Sequence, residues 1–272
     1  MLGKLLKHEF RATGRTLLPV IGAVVLLAAL ANISIRVLNV TDSTFLTILF
    51  GLIVAAFVIG IIAAMVMTAV VMVMRFYRSL LKDEGYLMHT LPVSVHGLVW
   101  SKLIVSLVWF VVTGLVIWLV MMLTVLIQSG TNLGDLVQGL DLEELKAALA
   151  EMGFPMSKLW GVAGQLALAG ILSILVSCLH FYAAMSMGHM FSKDKILLSI
   201  VFFVAISFLF SILSTGYSVG TFSVLENDLV TAVEGLRFFQ AIIWRMMLLT
   251  LIQGGILYAA TVLSLKKGLN LA

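Results

Sequence analysis

The chain has 272 residues, of which 62% are hydrophobic, with 17 basic and 13 acidic side chains and a net charge of +4. A soluble domain carries about 25% charged and about 45–50% apolar residues, so 11% charge is too little to cover a water-facing surface of this size. A soluble enzyme, a disordered chain and a nucleic-acid binder are poor fits despite a pI near 9.3, and an all-α, polytopic membrane protein is expected.

A helix needs about 20 mostly apolar residues to cross a hydrocarbon layer of roughly 30 Å. Six stretches qualify: 17–35, 45–74, 103–127, 159–191, 196–225 and 238–265. Their apolar runs are continuous and lack the two-residue alternation of barrel strands. A single transmembrane domain spanning 1–272 is expected. With the N-terminus inside, twelve cations (Lys4, Lys7, Arg11, Arg15, Arg75, Arg78, Lys82, Lys102, Lys193, Lys195, Lys266 and Lys267) oppose four carboxylates on the inner side, while five cations oppose nine carboxylates outside. This bias puts both termini in the cytoplasm. It also accounts for the basicity without a nucleic-acid partner, since no cationic cluster is interleaved with stacking aromatics.

Residues 2–17 come first. Leu2, Leu6, Phe10, Thr13 and Leu17 share one helical face, and Lys4, Lys7, His8, Arg11 and Arg15 share the other. An amphipathic helix over 1–16, lying in the interface with its cations near anionic lipid headgroups, is expected. The simpler alternative is that the cations only hold the N-terminus inside. Ala29-Leu30-Ala31 has the form of a signal-peptidase site. The long, patterned basic region favours a first membrane helix instead.

The second stretch runs 30 residues from Phe45 to Met74 without a charge, about 45 Å as a helix, so it must tilt or project. Ala56, Gly60, Ala64 and Thr68 form a ladder of small residues on it, suited either to an intramolecular contact or to a dimer seam.

The connection over 76–97 is the most informative polar segment. Asp83 is placed to cap a short helix that Pro92 must end. Tyr86, Leu87 and Leu91 are apolar groups beside Lys82, Asp83 and Glu84, which suggests a docking surface, unless the loop folds back on its own bundle. The run YRSLLKDEGYLMHTLPVSVHGLVWSKL, Tyr77 to Leu103, resembles the first cytoplasmic loop of bacterial ATP-binding cassette (ABC) type-2 exporter permeases of Gram-positive type. The opening KLLKHEFRATGR, Lys4 to Arg15, is similar to that family's basic N-terminal elbow, and six spans with both ends inside match its layout. The resemblance implies that the loop is a coupling helix seated on a separate ATPase subunit. Lys82, Asp83, Glu84, Gly85, Tyr86 and Leu87 then make the contact, and Leu91 and Pro92 set the exit. It also implies a bacterial plasma-membrane location, a second permease subunit (identical or homologous), and ATP and magnesium bound on the partner ATPase, with no cofactor on this chain.

Beyond the third span, 128–158 is polar and mostly acidic. Asp141 and Glu144 have capping-box spacing, and Leu142, Leu145, Leu149 and Met152 form one stripe that ends at Gly153. An extracellular loop with a short surface helix is expected there, with substrate recognition as a candidate role. By resemblance, the turn around 221–236 dips into the interface.

Within the spans, ionisable groups are costly and are therefore candidate sites. Arg245 is a candidate for the translocation pathway; the competing reading is an arginine that snorkels or pairs locally. His180 and His189 are nine residues apart, not at the i, i+4 spacing of a helical metal pair, and read as packing or interfacial histidines. Asn32, Gln165 and Gln253 read as interhelical glue. The 15 methionines do not cluster with other soft ligands and read as apolar filling. The sole cysteine, Cys178, reads as a small core residue.

The chain has no G-x-x-x-x-G-K-[ST] loop and no H-E-x-x-H. An exporter permease subunit that forms the pathway, with ATP hydrolysis on another chain, is thus the leading expectation. Peptides such as bacteriocins, lipids, glycans and drugs are all open as substrates. A protease-like intramembrane enzyme would need His and Glu together at membrane depth. A non-transporting sensor or assembly protein would use the same loop for another partner.

Overall fold

A computed structural model describes residues 2–38, 43–81, 94–130, 156–191, 194–225 and 232–267. Among these residues there is no strand. Six long helices follow in order: α1 (Leu2–Leu38), α2 (Thr44–Phe76), α3 (Val95–Ser129), α4 (Met156–Gly188), α5 (Lys195–Leu225) and α6 (Ala232–Lys267), with a π-helical turn at Tyr77–Leu81 continuing α2. Each of the six is long and apolar enough to cross a membrane, and the protein is an all-α polytopic membrane protein. Large apolar side chains such as Leu26, Ile33, Leu52, Ile59, Val125, Val204 and Phe208 lie at least half exposed, as suits a surface solvated by lipid tails.

The helix ends have local causes. Ser94 caps α3, its Oγ accepting from Gly97 N at 3.3 Å. Gly130 ends α3 at φ +67, a left-handed position that favours glycine. Asp194 starts α5 at φ 52, and its carbonyl accepts from Leu198 N at 2.9 Å. Pro19 lies inside α1 without ending it. It costs one backbone hydrogen bond, a loss that membrane helices tolerate.

The contacts divide the chain into two units. The first comprises Met1–Arg75 with Ile104–Asp141, and so holds α1, nearly all of α2 and most of α3. One cluster of its core joins Leu17, Met72, Val105 and Trp109, with Leu6 and Phe10 packed against them; another joins Ala28, Ala31, Phe57 and Val120. Residues 2–16 are therefore continuous with the first apolar span. The face of Leu6, Phe10, Thr13 and Leu17 packs on α2 and α3 within this unit, while Lys4, Lys7, Arg11 and Arg15 are exposed.

Polar contacts tie these three helices together along their length. Trp109 Nε1 donates to Thr13 Oγ1 at 2.8 Å, and that hydroxyl donates to the Glu9 carbonyl at 2.8 Å. Thr68 and Thr113 hydroxyls meet at 3.2 Å. Asn32 Nδ2 donates to Thr124 Oγ1 at 3.0 Å, and Gln128 Nε2 lies 3.3 Å from Asn32 Oδ1. On the ladder of small residues, Ala64 and Thr68 are buried, and a Cβ on Gly60 would come 2.8 Å from Leu27 Cδ1. These three positions make close approaches within the chain, whereas Ala56 is exposed. An interhelical hydrogen bond in a bilayer is worth about 0.6 kcal/mol on average, rarely above 1.7. Asn32→Leu, which removes the side-chain contacts with Thr124 and Gln128 but leaves Gln128 Nε2 donating to the Asn32 carbonyl at 3.2 Å, is expected to destabilise the protein by about 1 kcal/mol, read from unfolding in mixed detergent and SDS micelles; no change would mean that these side-chain contacts hold nothing.

The second unit comprises Phe76–Leu103 with Leu142–Ala272. In it α4 packs against both α5 and α6, and these two meet over a much shorter stretch. Glycines permit the close passages: a Cβ on Gly254 would lie 2.9 Å from Val176 Cγ2, and one on Gly188 would collide with the backbone of Ser199. His180 joins α4 to α5 through Ser207 Oγ at 3.1 Å, with Phe203 and Phe210 edge-on around its ring. Cys178 is buried on α4. Both side chains thus have the packing roles expected of them.

Candidate functional site: the roots of the loop between α2 and α3

Lys82, Asp83, Glu84, Gly85, Tyr86, Leu87, Leu91 and Pro92 all lie outside the described residues, as does the expected surface helix within 141–153. The two segments from which the loop springs are described, and both belong to the second unit.

The first root is the end of α2 and its π-helical turn. Phe76 is fully buried and stacks on Tyr182 of α4, with ring centroids 3.9 Å apart and planes within 6°. One residue on, Tyr77 meets His189 edge-on at 5.4 Å. Ser79, Leu80 and Leu81 are buried. A single π turn widens the helix by one residue and is commonly found at functional positions. Here it follows directly on Phe76, so that consecutive aromatics reach Tyr182 and His189. The Ser79 hydroxyl is buried with no hydrogen-bond partner among the described residues.

His189 sits at the end of α4. Its Nδ1 lies 2.9 Å from the Met185 carbonyl, which can only accept, so Nδ1 carries the proton. Beyond it an open cleft of about 760 Å³ is lined by Tyr77, His189, Asp194, Lys195 and the apolar start of α5. His189 after α4 and the start of α5 thereby come beside the first root.

The second root is the start of α3. His96 Nδ1 is 2.7 Å from the Tyr258 hydroxyl and His96 Nε2 is 3.1 Å from Lys266 Nζ, both partners being on α6. Trp100, one turn on, lies 6.0 Å from the Tyr258 ring. Ser101 and Lys102 are buried, while His96 and Trp100 are exposed. The loop is thus held at one root by α4 and at the other by α6. Those two helices pack on each other through Gly254 and Val176. Both roots thus rest on one packed pair of helices.

The other candidates are separate from these roots. Lys4, Lys7, Arg11 and Arg15 are exposed on α1 in the first unit. Arg245 is exposed on α6 and makes no ion pair among the described residues. Gln165 has a buried Oε1 with no hydrogen-bond partner among the described residues. No group of three His, Cys, Asp or Glu side chains suited to a metal occurs among the described residues.

The anchoring residues Phe76, Tyr182, Tyr258 and Lys266 escape a reading by motif. Their partners are far apart in sequence, 162 residues for His96 and Tyr258 and 170 for His96 and Lys266. The only local signal is a concentration of aromatic and histidine side chains at helix ends, which in membrane proteins marks the interface in general.

Comparison with protein-family models, with curated proteins and with solved structures finds no match.

Proposed function

We propose that this chain is the membrane-spanning permease subunit of an ATP-driven ABC-type exporter in a bacterial plasma membrane, with both termini cytoplasmic. The α2–α3 loop is its lever, seated on a separate ATPase chain that holds ATP and magnesium. A second permease subunit, identical or homologous, completes the pathway. The reading rests on six membrane-crossing helices, the inside-positive charge pattern and the likeness of residues 77–103 to a coupling loop. The observation that carries it is the fixing of both loop roots, Phe76 and Tyr77 on α4 and His96 on α6.

A lever must transmit displacement rather than absorb it. Closure of the ATPases moves the loop, and the stacked and hydrogen-bonded roots carry that motion into α4 and α6, which line or gate the path. Hydrolysis resets the cycle, and this chain makes and breaks no bonds. A peptide such as a bacteriocin, a lipid or a drug is the exported species.

Glu84→Ala and Tyr86→Ala are expected to uncouple ATP hydrolysis by the copurified ATPase from export, with the bundle still folded by size-exclusion profile and melting temperature. Loss of tenfold or more in export per ATP corresponds to at least about 1.4 kcal/mol of coupling. Normal export by both variants, or purification of an active transporter without any ATPase, overturns the reading.

A further inference from the structure

A groove of about 270 Å³ opens between α3, α4 and α6 directly below the second root, lined by Trp100, Leu103, Leu175, Leu179, Gly255 and Tyr258 among others. Its walls are apolar almost throughout. From Tyr258 to Leu251 on α6, and from Leu179 to Leu172 on α4, it extends seven residues, about 10 Å along the helix axes. Its volume is just under the roughly 300–1,000 Å³ of sites for drug-sized ligands. A narrow apolar slot of this length suits a single hydrocarbon chain.

The upper end of the slot is polar, and its hydrogen-bond directions can be assigned. Lys266 Nζ can only donate, so His96 Nε2 accepts from it at 3.1 Å and the ring proton is on Nδ1. Nδ1–H therefore donates to the Tyr258 oxygen at 2.7 Å. Tyr258 thus acts as acceptor toward His96, and its own O–H is left to donate outward. The Lys266 ammonium has two further N–H groups and is exposed. One hydroxyl donor and one cation are therefore held at the mouth of an apolar slot, beside the exposed Trp100 ring. An anion joined to a hydrocarbon chain complements both parts.

We propose that this groove holds one acyl chain of an anionic phospholipid, whose phosphate is received by the Tyr258 hydroxyl and the Lys266 ammonium. The orientation proposed above puts this mouth in the inner leaflet, where anionic lipids attract basic groups. Because His96 belongs to the second root, the bound lipid braces the attachment of the loop to α6. The site is independent of what the protein exports, and it stands or falls by lipid binding alone.

The full chain, purified in mild detergent and exposed to equal amounts of phosphatidylglycerol and phosphatidylcholine, is expected to retain one phosphatidylglycerol in preference to phosphatidylcholine by native mass spectrometry. Lys266→Gln and Tyr258→Phe are each expected to weaken that retention roughly tenfold, the loss of one charge-assisted hydrogen bond. Gly255→Leu supplies an independent arm. A Cβ there meets nothing within 4 Å, so leucine fills the slot without disturbing the fold and is expected to expel the chain. Equal retention of both lipids, unchanged retention in all three variants, or displacement of the lipid by millimolar inorganic phosphate alone overturns the proposal, the last by revealing a site for a free anion.

Discussion

Gly188→Ala is expected to disrupt the junction of α4 and α5 and to cost about 3 kcal/mol, with the clash exceeding any gain in helix propensity. Replacing glycine by alanine in a helix normally gains about 1 kcal/mol. The added Cβ, however, would sit 2.6 Å from Ser199 N and 2.7 Å from Ser199 Cα, in addition to its clash with Oγ. Backbone cannot rotate away as a side chain can, so α5 must move off α4. Overpacking of a tight contact costs about 1–3 kcal/mol and occasionally more. Two other glycines serve as controls. At Gly254 the obstacle is a single valine methyl at 2.9 Å, and at Gly60 it is the flexible tip of Leu27 at 2.8 Å. Alanine should therefore destabilise least at 60, more at 254 and most at 188, measured by thermal denaturation in detergent. A Gly188→Ala protein that melts with the wild type would show that α4 and α5 do not approach as described. Ser199→Gly is not expected to rescue it, because the backbone atoms remain.

The second large effect concerns Glu9. Its carboxylate receives Arg75 Nε at 2.9 Å, with the two side chains 4% and 29% exposed. Breaking a buried pair by removing one partner costs about 3–5 kcal/mol, because the other charge stays where water does not reach. The two halves of this pair are unequal. Arg75→Gln takes the guanidinium from the deeply buried member and is expected to cost about 3 kcal/mol. Glu9→Gln leaves an arginine long enough to turn its head toward water or headgroups, and is expected to cost about 1 kcal/mol. Replacing both by methionine should recover most of the loss, since apolar residues of similar volume often substitute for a buried pair. Denaturation of the four proteins in the same micelles tests this. Equal costs for the two single variants would falsify the asymmetry.

Both of these positions show how far the sequence could be read. The spans were legible because a bilayer imposes one dominant requirement, about 20 apolar residues per crossing, and 45–74 or 196–225 meet it without ambiguity. The start of α1 was legible in part. The two faces of residues 2–17 were evident, but not that the apolar face packs on Met72, Val105 and Trp109 within the chain. Hydrophobic periodicity records that a face is buried; it does not say whether protein or lipid covers it. Glu9 read as one inner carboxylate among four, and nothing local signals an arginine 66 residues away. Gly188 read as one of 22 glycines, and its importance arises only when α5 folds back against it.

The loop was legible in a different way. Its composition, charged and apolar together between two long spans, points to contact with a partner, and its likeness to a coupling loop supplies a partner class. What anchors it was hidden. Tyr77 and His96 lie in the very run that carries the likeness and Phe76 directly precedes it, yet their roles come from Tyr182, His189, Tyr258 and Lys266, brought to them by folding. Side chains that fix the roots of a loop leave no spacing in the sequence, because spacing records only what one helix or turn presents by itself.

Cys178 is the only cysteine in the chain and is 5% exposed on α4. Water-borne thiol reagents therefore find little to react with in the natural protein. A cysteine introduced at an exposed position such as Lys4, or in the loop at Tyr86, becomes a single addressable thiol without prior removal of native ones. Membrane-impermeant maleimides applied from one side or the other then report which face of the bilayer each position occupies.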